Sequence, residues 1–259
     1  MGVVNVTPDS FSDGGAHLFP EAASTAALGM LDEGAAIVDV GGESTRPGSG
    51  GVPLDEELRR LLPVLESLVG SPVSIDTAKA EVARRALELG AELVNDVTAL
   101  RGDPKLAEVV AGAGSYVCLM HMQGEPQTMQ AEPRYDDVVS EVKAFLESRL
   151  AFAVAAGILE ERVCLDPGIG FGKTVAHNFE LVRRLPELVA IGRPVVIGFS
   201  RKSSLGRILG DPTATSGSAA ASVGVAVSAY ERGAWIIRAH DVRDHVEALG
   251  VARAVVEES

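Results

Sequence analysis

Aromatic residues, cysteines and long apolar runs are all scarce in this sequence of 259 residues. Aromatic side chains make up only 4% of a chain that is 46% apolar, so we expect a core of alanine, valine, leucine and isoleucine. No run of 18 apolar residues occurs, so we expect no membrane-spanning segment. The two cysteines, Cys118 and Cys164, lie inside apolar runs, which indicates buried thiols rather than a disulfide or metal ligands. Free buried thiols and an N-terminus without a basic leader together predict a cytoplasmic protein.

Positive charge is scarce as well. The chain has 23 lysine and arginine residues against 36 aspartate and glutamate residues, a net charge of −13. Such a surface repels phosphate backbones and anionic lipids, so we expect neither a nucleic acid nor a membrane as partner. An anionic small molecule stays compatible with this charge if cations cluster locally. Of the five lysines, Lys173 and Lys202 lie just beyond predicted strands, unlike ordinary surface lysines.

The chain is rich in short, continuously apolar segments that alternate with helical segments. Continuous apolar character is typical of parallel strands that are buried on both faces. We predict strands at 3–6, 36–40, 73–76, 93–96, 116–121, 163–166, 194–198 and 234–238. We predict helices at 21–33, 54–69, 79–89, 104–113, 136–156, 176–185, 202–209, 213–232 and 242–256.

Eight strand–helix units in about 250 residues are typical of a (β/α)₈ barrel. We therefore predict one α/β domain, a TIM barrel over residues 1–259, with two long glycine-rich loops at its C-terminal face. A doubly wound open sheet is the alternative, but the regular units without a domain break favour closure.

Every predicted strand ends in polar residues. They are Asn5, Glu43, Asp76, Asn95, His121, Asp166, Ser200 with Lys202, and Arg238 with His240. Because these ends converge on one face of a barrel, the side chains should line one pocket. Carboxylates, an amide and an ammonium group suit a flat polar heterocycle, and Arg238 and His240 suit a phosphate.

Some of these residues also have purely structural explanations. Asp76 is a candidate helix N-cap, and Asn95-Asp96 a candidate turn pair. We interpret His121 as a partly buried histidine whose hydrogen bonds are satisfied within the protein. Caps do not explain the cations of the last two units.

The segment after the sixth strand, Asp166 to Lys173, carries glycines at every second position. This spacing predicts a loop whose backbone turns sharply and lies close to another group. Asp166 as the start of a simple turn is the alternative. A phosphate-binding loop is excluded because Pro167 stands where it requires glycine, and the spacing of dinucleotide binders is absent.

Transition-metal chemistry is not expected. It usually needs a His-x-His pair or a similar ligand cluster, whereas His121 and His240 are isolated. A substrate-bound Mg²⁺ with few protein ligands stays open.

The motifs resemble, in order, those of the dihydropteroate synthase family over nearly the whole chain. They are Asn5-Val6-Thr7-Pro8-Asp9-Ser10-Phe11-Ser12-Asp13-Gly14-Gly15, Gly42-Glu43-Ser44-Thr45-Arg46-Pro47-Gly48, Ser74-Ile75-Asp76-Thr77, Asn95-Asp96-Val97, Leu119-Met120-His121-Met122, Asp166 to Lys173, Ser200-Arg201-Lys202 and Arg238-Ala239-His240-Asp241. The resemblance implies a folate-pathway transferase that joins 4-aminobenzoate to 6-hydroxymethyl-7,8-dihydropterin pyrophosphate. It also implies Mg²⁺ as cofactor and a homodimer.

The resemblance further implies roles for individual residues. Pterin pyrophosphate would be bound by Thr45, Asp76, Asn95, Met120, Asp166, Lys202, Arg238, Ala239 and His240. The 4-aminobenzoate site would contain Arg46, Pro47, Phe171, Lys202 and Ser203, and Asn5 would lie at the metal. The candidate catalytic residues are Asp76, Asp166, Lys202 and Asp13.

Elementary chemistry agrees with this activity. An arylamine is a weak nucleophile, so early departure of the leaving group, giving a cation at the pterin methylene, asks mainly for electrostatic stabilisation. We assign Asp13 as the carboxylate that faces this cation, and we expect both glycine-rich loops to become ordered with substrates. The rivals are a pterin-binding methyltransferase domain of the same fold and a catalytically silent barrel. The two loops and Ser200-Arg201-Lys202 favour the synthase.

Overall fold

The computed structural model describes residues 1–7, 19–44, 50–124 and 128–256. Within these ranges the strands are β1 Gly2–Asn5, β2 Val38–Gly41, β3 Val73–Asp76, β4 Leu93–Asp96, β5 Tyr116–Met120, β6 Val163–Asp166, β7 Val196–Ile197 and β8 Ile236–Ile237. The helices are α1 Phe19–Asp32, α2 Leu54–Ser67, α3 Ala80–Glu88, α4 Leu106–Ala113, α5 Val138–Ala155, α6 Val175–Arg183, α7 Leu185–Val189, α8 Ser203–Ile208, α9 Ala219–Tyr230 and α10 Val242–Val256. A short 3₁₀ turn, Glu160–Arg162, precedes β6.

The strands form a closed parallel barrel. Strands β1 to β6 pair in chain order, and β7 pairs with β8. Two bridges join these sheets at both edges, Leu165 with Val195 and Gly2 with Ala239. The backbone N–H of Val3 donates to the carbonyl oxygen of Ala239 at 3.1 Å, which seals the barrel between its first and last strands. The predicted (β/α)₈ barrel is confirmed, and the open-sheet alternative is wrong.

The core is aliphatic, as the composition predicts. The largest fully buried side chains are leucines and isoleucines: Leu61, Leu68, Ile75, Leu106, Leu119, Leu146, Leu165, Ile169, Leu181, Leu185, Leu188 and Ile197. Most strand residues are buried, and helix side chains pack against them in one large aliphatic cluster. Cys118 and Cys164 are buried and free, which confirms their interpretation as thiols.

The seventh unit differs from the sequence prediction. Helix α9 begins at Ala219 rather than at residue 213, because the hydroxyl of Ser218 caps it by accepting from the backbone N–H of Ala221 at 3.2 Å. The residues before it form turns, in which Asp211 Oδ1 accepts from the N–H of Thr213 at 2.9 Å. Strands β7 and β8 are also shorter than predicted, with two residues each.

The helical segment after β6 is divided into two helices. The sequence pattern predicts one helix over 176–185, whereas α6 ends at Arg183 and α7 begins at Leu185. Pro186 stands at the start of α7, where its missing N–H costs no intrahelical hydrogen bond. No helix among the described residues is long and apolar enough to cross a bilayer.

The glycine-rich loops are only partly described. Residues 8–18 of the segment after β1 and residues 45–49 of the loop after β2 lie outside the described residues. The predicted site residues Asp13, Thr45, Arg46 and Pro47 therefore lie outside them too.

Candidate active site

The strand register places the predicted site residues at one rim of the barrel. Asn5 is the register partner of Gly41, Gly41 of Asp76, and Asp76 of Asn95. On the far side, Met120 is the partner of Asp166. Because parallel strands share one direction, all of these positions lie at the carboxyl-end face of the barrel.

Arg238, just after β8, lies between two carboxylates from other strands. Its Nε donates to Asp39 Oδ2 at 2.7 Å, and its Nη2 donates to Asp76 Oδ2 at 3.0 Å. Asp76 is therefore not a helix N-cap, since α3 begins after Lys79. Burial, followed by repulsion from Asp39, raises the pKa of Asp76 well above that of an ordinary aspartate.

The Asn95-Asp96 pair divides between the site and the turn. Asn95 Nδ2 donates to Asp39 Oδ2 at 2.9 Å, inside the barrel. Asp96 instead accepts from the backbone N–H groups of Thr98 at 2.8 Å and Leu100 at 2.6 Å, which supports the turn after β4. The turn interpretation is thus right for Asp96 and wrong for Asn95.

Asp166 begins a turn and also faces the barrel interior. Its Oδ1 accepts from the N–H of Gly168 at 2.7 Å, and its side chain is buried. Burial raises the pKa of Asp166, against the stabilising N–H of Gly168 and the nearby Lys202. Asp166 therefore does start a turn, and its role in the site stays a prediction.

The glycines after Asp166 allow their loop to lie against the end of β5. At Gly168, φ is +69° and a Cβ atom would lie 1.9 Å from the carbonyl oxygen of His121. At Gly172, φ is +64° and a Cβ atom would lie 2.4 Å from the carbonyl oxygen of Gln123. The predicted sharp turn and close backbone approach are confirmed.

Lys202 precedes α8 and reaches the same loop. Its ammonium group donates to the carbonyl oxygen of Ile169 and lies 4.8 Å from the centroid of the Phe171 ring. Burial lowers the pKa of Lys202 to about 8, against the attraction of Asp166. Phe171 packs against an apolar cluster that contains Met120. Ser203, partly buried, follows as the first residue of α8.

The last two predicted strand ends meet through Ser200. Its hydroxyl lies 3.1 Å from Nδ1 of His240 and accepts from the backbone N–H of His240 at 3.2 Å. Ala239 uses its backbone groups for barrel closure with Met1 and Val3. Arg201 adopts a left-handed conformation (φ +56°) and pairs with Asp241, outside the rim. His240 therefore lies beside the seventh strand end, as a barrel requires.

His121 has a structural role. Its ring Nδ1 lies 2.9 Å from Nζ of the buried Lys173, and the two side chains link the end of β5 to the glycine loop. The interpretation of His121 as a satisfied buried histidine is confirmed.

Comparison with known proteins decides the family. The profile described as pterin binding enzyme matches residues 1–240. The chain is 46% identical to dihydropteroate synthase from Escherichia coli K12 over 261 residues, which cover 99% of this chain and 91% of the relative. The chain belongs to the dihydropteroate synthase family.

Solved structures agree with this assignment. A Xanthomonas albilineans dihydropteroate synthase with 4-aminobenzoic acid superposes with a TM-score of 0.91 at 47% identity, covering 100% of this chain and 93% of the other. The same species' enzyme in complex with 7,8-dihydropteroate gives a TM-score of 0.88 at 45% identity, covering 100% and 94%. The family resemblance, the fold and the synthase function predicted from the sequence are thereby confirmed.

Asp39 belongs to the hydrogen-bond network of Arg238 and Asn95, but the pattern of polar strand ends does not reveal it. Its side chain is fully buried inside the barrel, where it accepts hydrogen bonds from Arg238, Asn95 and Ser74. The available signal is an acid in the middle of an otherwise apolar strand, since a buried carboxylate requires partners. The pattern misses Asp39 because this residue lies two positions before the end of β2.

The donor set at this rim does not form a metal cage of protein ligands. Among the described residues, no group of three histidine, cysteine or acidic side chains is arranged to hold a metal ion. Asn5, partly buried at the end of β1, offers one amide oxygen. A single protein oxygen fits Mg²⁺ that is delivered with a pyrophosphate and keeps water in its remaining positions.

Proposed function

We propose that this rim binds 6-hydroxymethyl-7,8-dihydropterin pyrophosphate and joins it to 4-aminobenzoate, giving 7,8-dihydropteroate and pyrophosphate. The observation that carries the proposal is a hydrogen-bond network in which Arg238 donates to both Asp39 and Asp76, and Asn95 donates to Asp39. It places acceptors, an amide and a cation from four strands at one rim, opposite Asp166 and Lys202. Relatives solved with 4-aminobenzoic acid and with 7,8-dihydropteroate support the choice of substrates.

The pterin ring binds among Asp76, Asn95, Asp166 and Lys202. Carboxylates accept from the ring amino and N–H groups, while the amide and the ammonium group donate to ring acceptors. Met120 is buried at this rim and supplies an apolar surface for the face of the ring.

The pyrophosphate binds beside the last strand. Arg238 and His240 supply donors, with Ala239 between them, and Asn5 supplies an oxygen to Mg²⁺. When bound there, Mg²⁺ would supply positive charge beside this leaving group. The guanidinium of Arg238 has five donors, so it can engage an anion while it keeps its contact with Asp39.

The aminobenzoate binds beside Phe171 and Ser203, with Lys202 between the two substrates. The ammonium group of Lys202 lies over the Phe171 ring, which brings a cation and an apolar wall together. This pair suits an aromatic carboxylate. We also assign Arg46 and Pro47 to the aminobenzoate site and Thr45 to the pterin pyrophosphate site. These three residues lie outside the described part of the chain.

The chemical step requires charge stabilisation rather than a strong base. The bond between the pterin methylene carbon and the pyrophosphate oxygen breaks, and a carbon–nitrogen bond forms to the arylamine, which then loses a proton. Arg238 and His240 stabilise the departing anion, and Asp13 faces the cation. Asp76 and Asp166, whose pKa values burial raises, hold the pterin by its N–H groups.

We also propose that the protein is a homodimer formed through α9 and α10. Val246, Val251 and Val255 of α10 are exposed, and a groove of about 430 Å³ lies between the two helices. Exposed apolar patches of this kind mark contact surfaces. Sedimentation equilibrium should give a dimer for the unmodified protein and a monomer for Val251→Asp.

The remaining proposals concern location and domain structure. We place the protein in the cytoplasm because its two cysteines are free. We treat residues 1–259 as one domain, since all eight described strands belong to one barrel.

A coupled assay of pyrophosphate release tests the function. Release should depend on both pterin pyrophosphate and 4-aminobenzoate, and the product should be dihydropteroate. Methyl transfer to cobalamin instead would indicate the methyltransferase alternative. Lys202→Ala and Asp166→Ala should lower kcat/KM at least a hundredfold with little change in circular dichroism. Near-native kcat/KM in either variant would show that the pocket is assigned wrongly.

A further inference from the structure

Asp39 is a buried carboxylate that reaches two residues of the proposed site. Its side chain has no exposed surface, so a ligand at the rim does not touch it. Oδ2 accepts from Arg238 Nε at 2.7 Å and from Asn95 Nδ2 at 2.9 Å. Oδ1 accepts from the hydroxyl of Ser74 at 2.6 Å. Three donors from three other strands therefore converge on one carboxylate below the pocket.

The two carboxylates that hold Arg238 differ in exposure. Asp39 is fully buried, whereas the Asp76 side chain is 12% exposed, at the pocket surface. A buried carboxylate without its cation carries a large desolvation cost, so the bond from Nε to Asp39 is the one that persists. Asp76 can exchange the guanidinium for ligand N–H groups at much lower cost.

We propose that Asp39 is a positioning residue that holds Arg238 and Asn95 in place while the outer amino groups of Arg238 transfer from Asp76 to the ligand. The inference rests on the proposed function, because it takes the ligand to be a pterin that carries an anionic pyrophosphate. The pterin then releases Asp76 from Arg238 as the pyrophosphate engages the same guanidinium. One buried carboxylate thus couples recognition of the two halves of the substrate.

The first test is the isosteric variant Asp39→Asn. Removal of the negative charge weakens the bond to Arg238 Nε, so KM for pterin pyrophosphate should rise roughly tenfold to a hundredfold. KM for 4-aminobenzoate should change less than threefold, since neither Phe171 nor Ser203 contacts this network. Ser74→Ala is the matched control, because it removes a donor from Oδ1 and leaves Arg238 in place. Its KM for pterin pyrophosphate should stay within about twofold of wild type.

A second readout follows the charge interactions of Asp76 with Asp39 and Arg238. Burial and then the charge of Asp39 raise the pKa of Asp76, Arg238 lowers it, and Glu57 of α2 and Asp96 of β4 raise it further. In Asp39→Asn the repulsion is lost and Arg238 turns to Asp76, so the pKa of Asp76 should fall. Carbon-13 NMR of the Asp76 carboxyl group measures this change. An unchanged titration of Asp76 in Asp39→Asn would overturn the inference.

A third measurement uses the unmodified protein, so it does not depend on whether a variant folds. Nitrogen-15 NMR should show the Nε–H of Arg238 protected from exchange, with the same shift before and after pterin pyrophosphate is added. The Nη resonances should move. Loss of Nε–H protection on binding would overturn the inference.

The variants also separate this inference from the proposed function. If Asp39→Asn binds pterin pyrophosphate normally while Asp166→Ala does not, Asp39 has no positioning role and the proposed site stands. If Asp166→Ala also binds normally, the pterin site itself is wrong.

Discussion

Nζ of Lys173 lies 2.9 Å from Nδ1 of His121, in the buried space between the glycine loop and the end of β5. The same nitrogen donates to the carbonyl oxygen of Phe171 at 3.0 Å. Lys173 therefore holds the loop that carries Phe171 against the strand that carries Met120. Burial lowers the pKa of Lys173 to about 7, against the attraction of Asp166.

The buried lysine makes stability depend on pH. Since the pKa of Lys173 is lower in the folded protein than in the unfolded chain, the unfolded state binds more protons between about pH 7 and 10. This group therefore adds stability as pH rises through that range and removes it as pH falls. The variant Lys173→Met has no titrating group at this position, so its stability lacks this contribution to the pH dependence. Urea unfolding at pH 7 and 9.5 should show wild type gaining free energy of unfolding relative to the variant. An equal difference at both pH values would contradict a buried, titrating lysine.

His121 should stay neutral across the physiological range. Burial, followed by the charge of Lys173, lowers the pKa of His121 to about 3. Its ring resonances should not titrate between pH 5 and 8, whereas an unperturbed imidazole titrates near pH 6.5. The unfolded chain binds a proton more readily between about pH 3 and 6.5, so this residue lowers stability as pH falls through that interval. A His121 titration midpoint near 6 would contradict the buried placement.

The close approach at Gly168 predicts an asymmetry between two glycines. Gly168→Ala places a methyl group against the carbonyl oxygen of His121, so it should destabilise the fold by about 2–4 kcal/mol and lower activity. Gly192 also has a positive φ, of +86°, but beyond its chain neighbours no atom lies within 4 Å of the position that a Cβ atom would take. Gly192→Ala should therefore cost only about 1 kcal/mol, from backbone strain. Equal losses in thermal unfolding would show that the two backbones do not differ in packing.

A buried ion pair beside the second loop should show unequal single-variant effects. Lys79 pairs with Glu57, whose side chain is 0% exposed against 28% for Lys79. Lys79→Met leaves that carboxylate buried without its cation and should cost about 3 kcal/mol. Glu57→Gln leaves a more exposed lysine that still pairs with Glu43, so it should cost about 1–2 kcal/mol.

The double variant and a surface pair complete this experiment. Glu57→Gln combined with Lys79→Met should cost less than the sum of the single variants, because the unpaired charge is gone. Arg59→Ala breaks the exposed pair with Glu56 and should leave the free energy of unfolding nearly unchanged, because solvent screens exposed ion pairs. Additive costs in the double variant would show that Lys79 and Glu57 do not interact.

Most elements are predictable because their signals are local. The strands β3, β4 and β6 have the bounds that the apolar runs indicate. Helix α10 has them too. The start of α9 is not predictable in this way, since the helical pattern extends through residues 213–218 while the Ser218 cap and the Asp211 turn decide the boundary.

The sequence by itself determined the number of units, the aliphatic core and the polar character of the strand ends. Tertiary structure alone decided which polar groups meet. Arg238 and Asp39 are 199 positions apart, and their contact exists only because β8 closes against β1 beside β2. The carbonyl of His121 likewise selects glycine at position 168 only after the chain has folded. Apolar patterning acts over a few residues, whereas partners of a buried charge are chosen by geometry across the whole barrel.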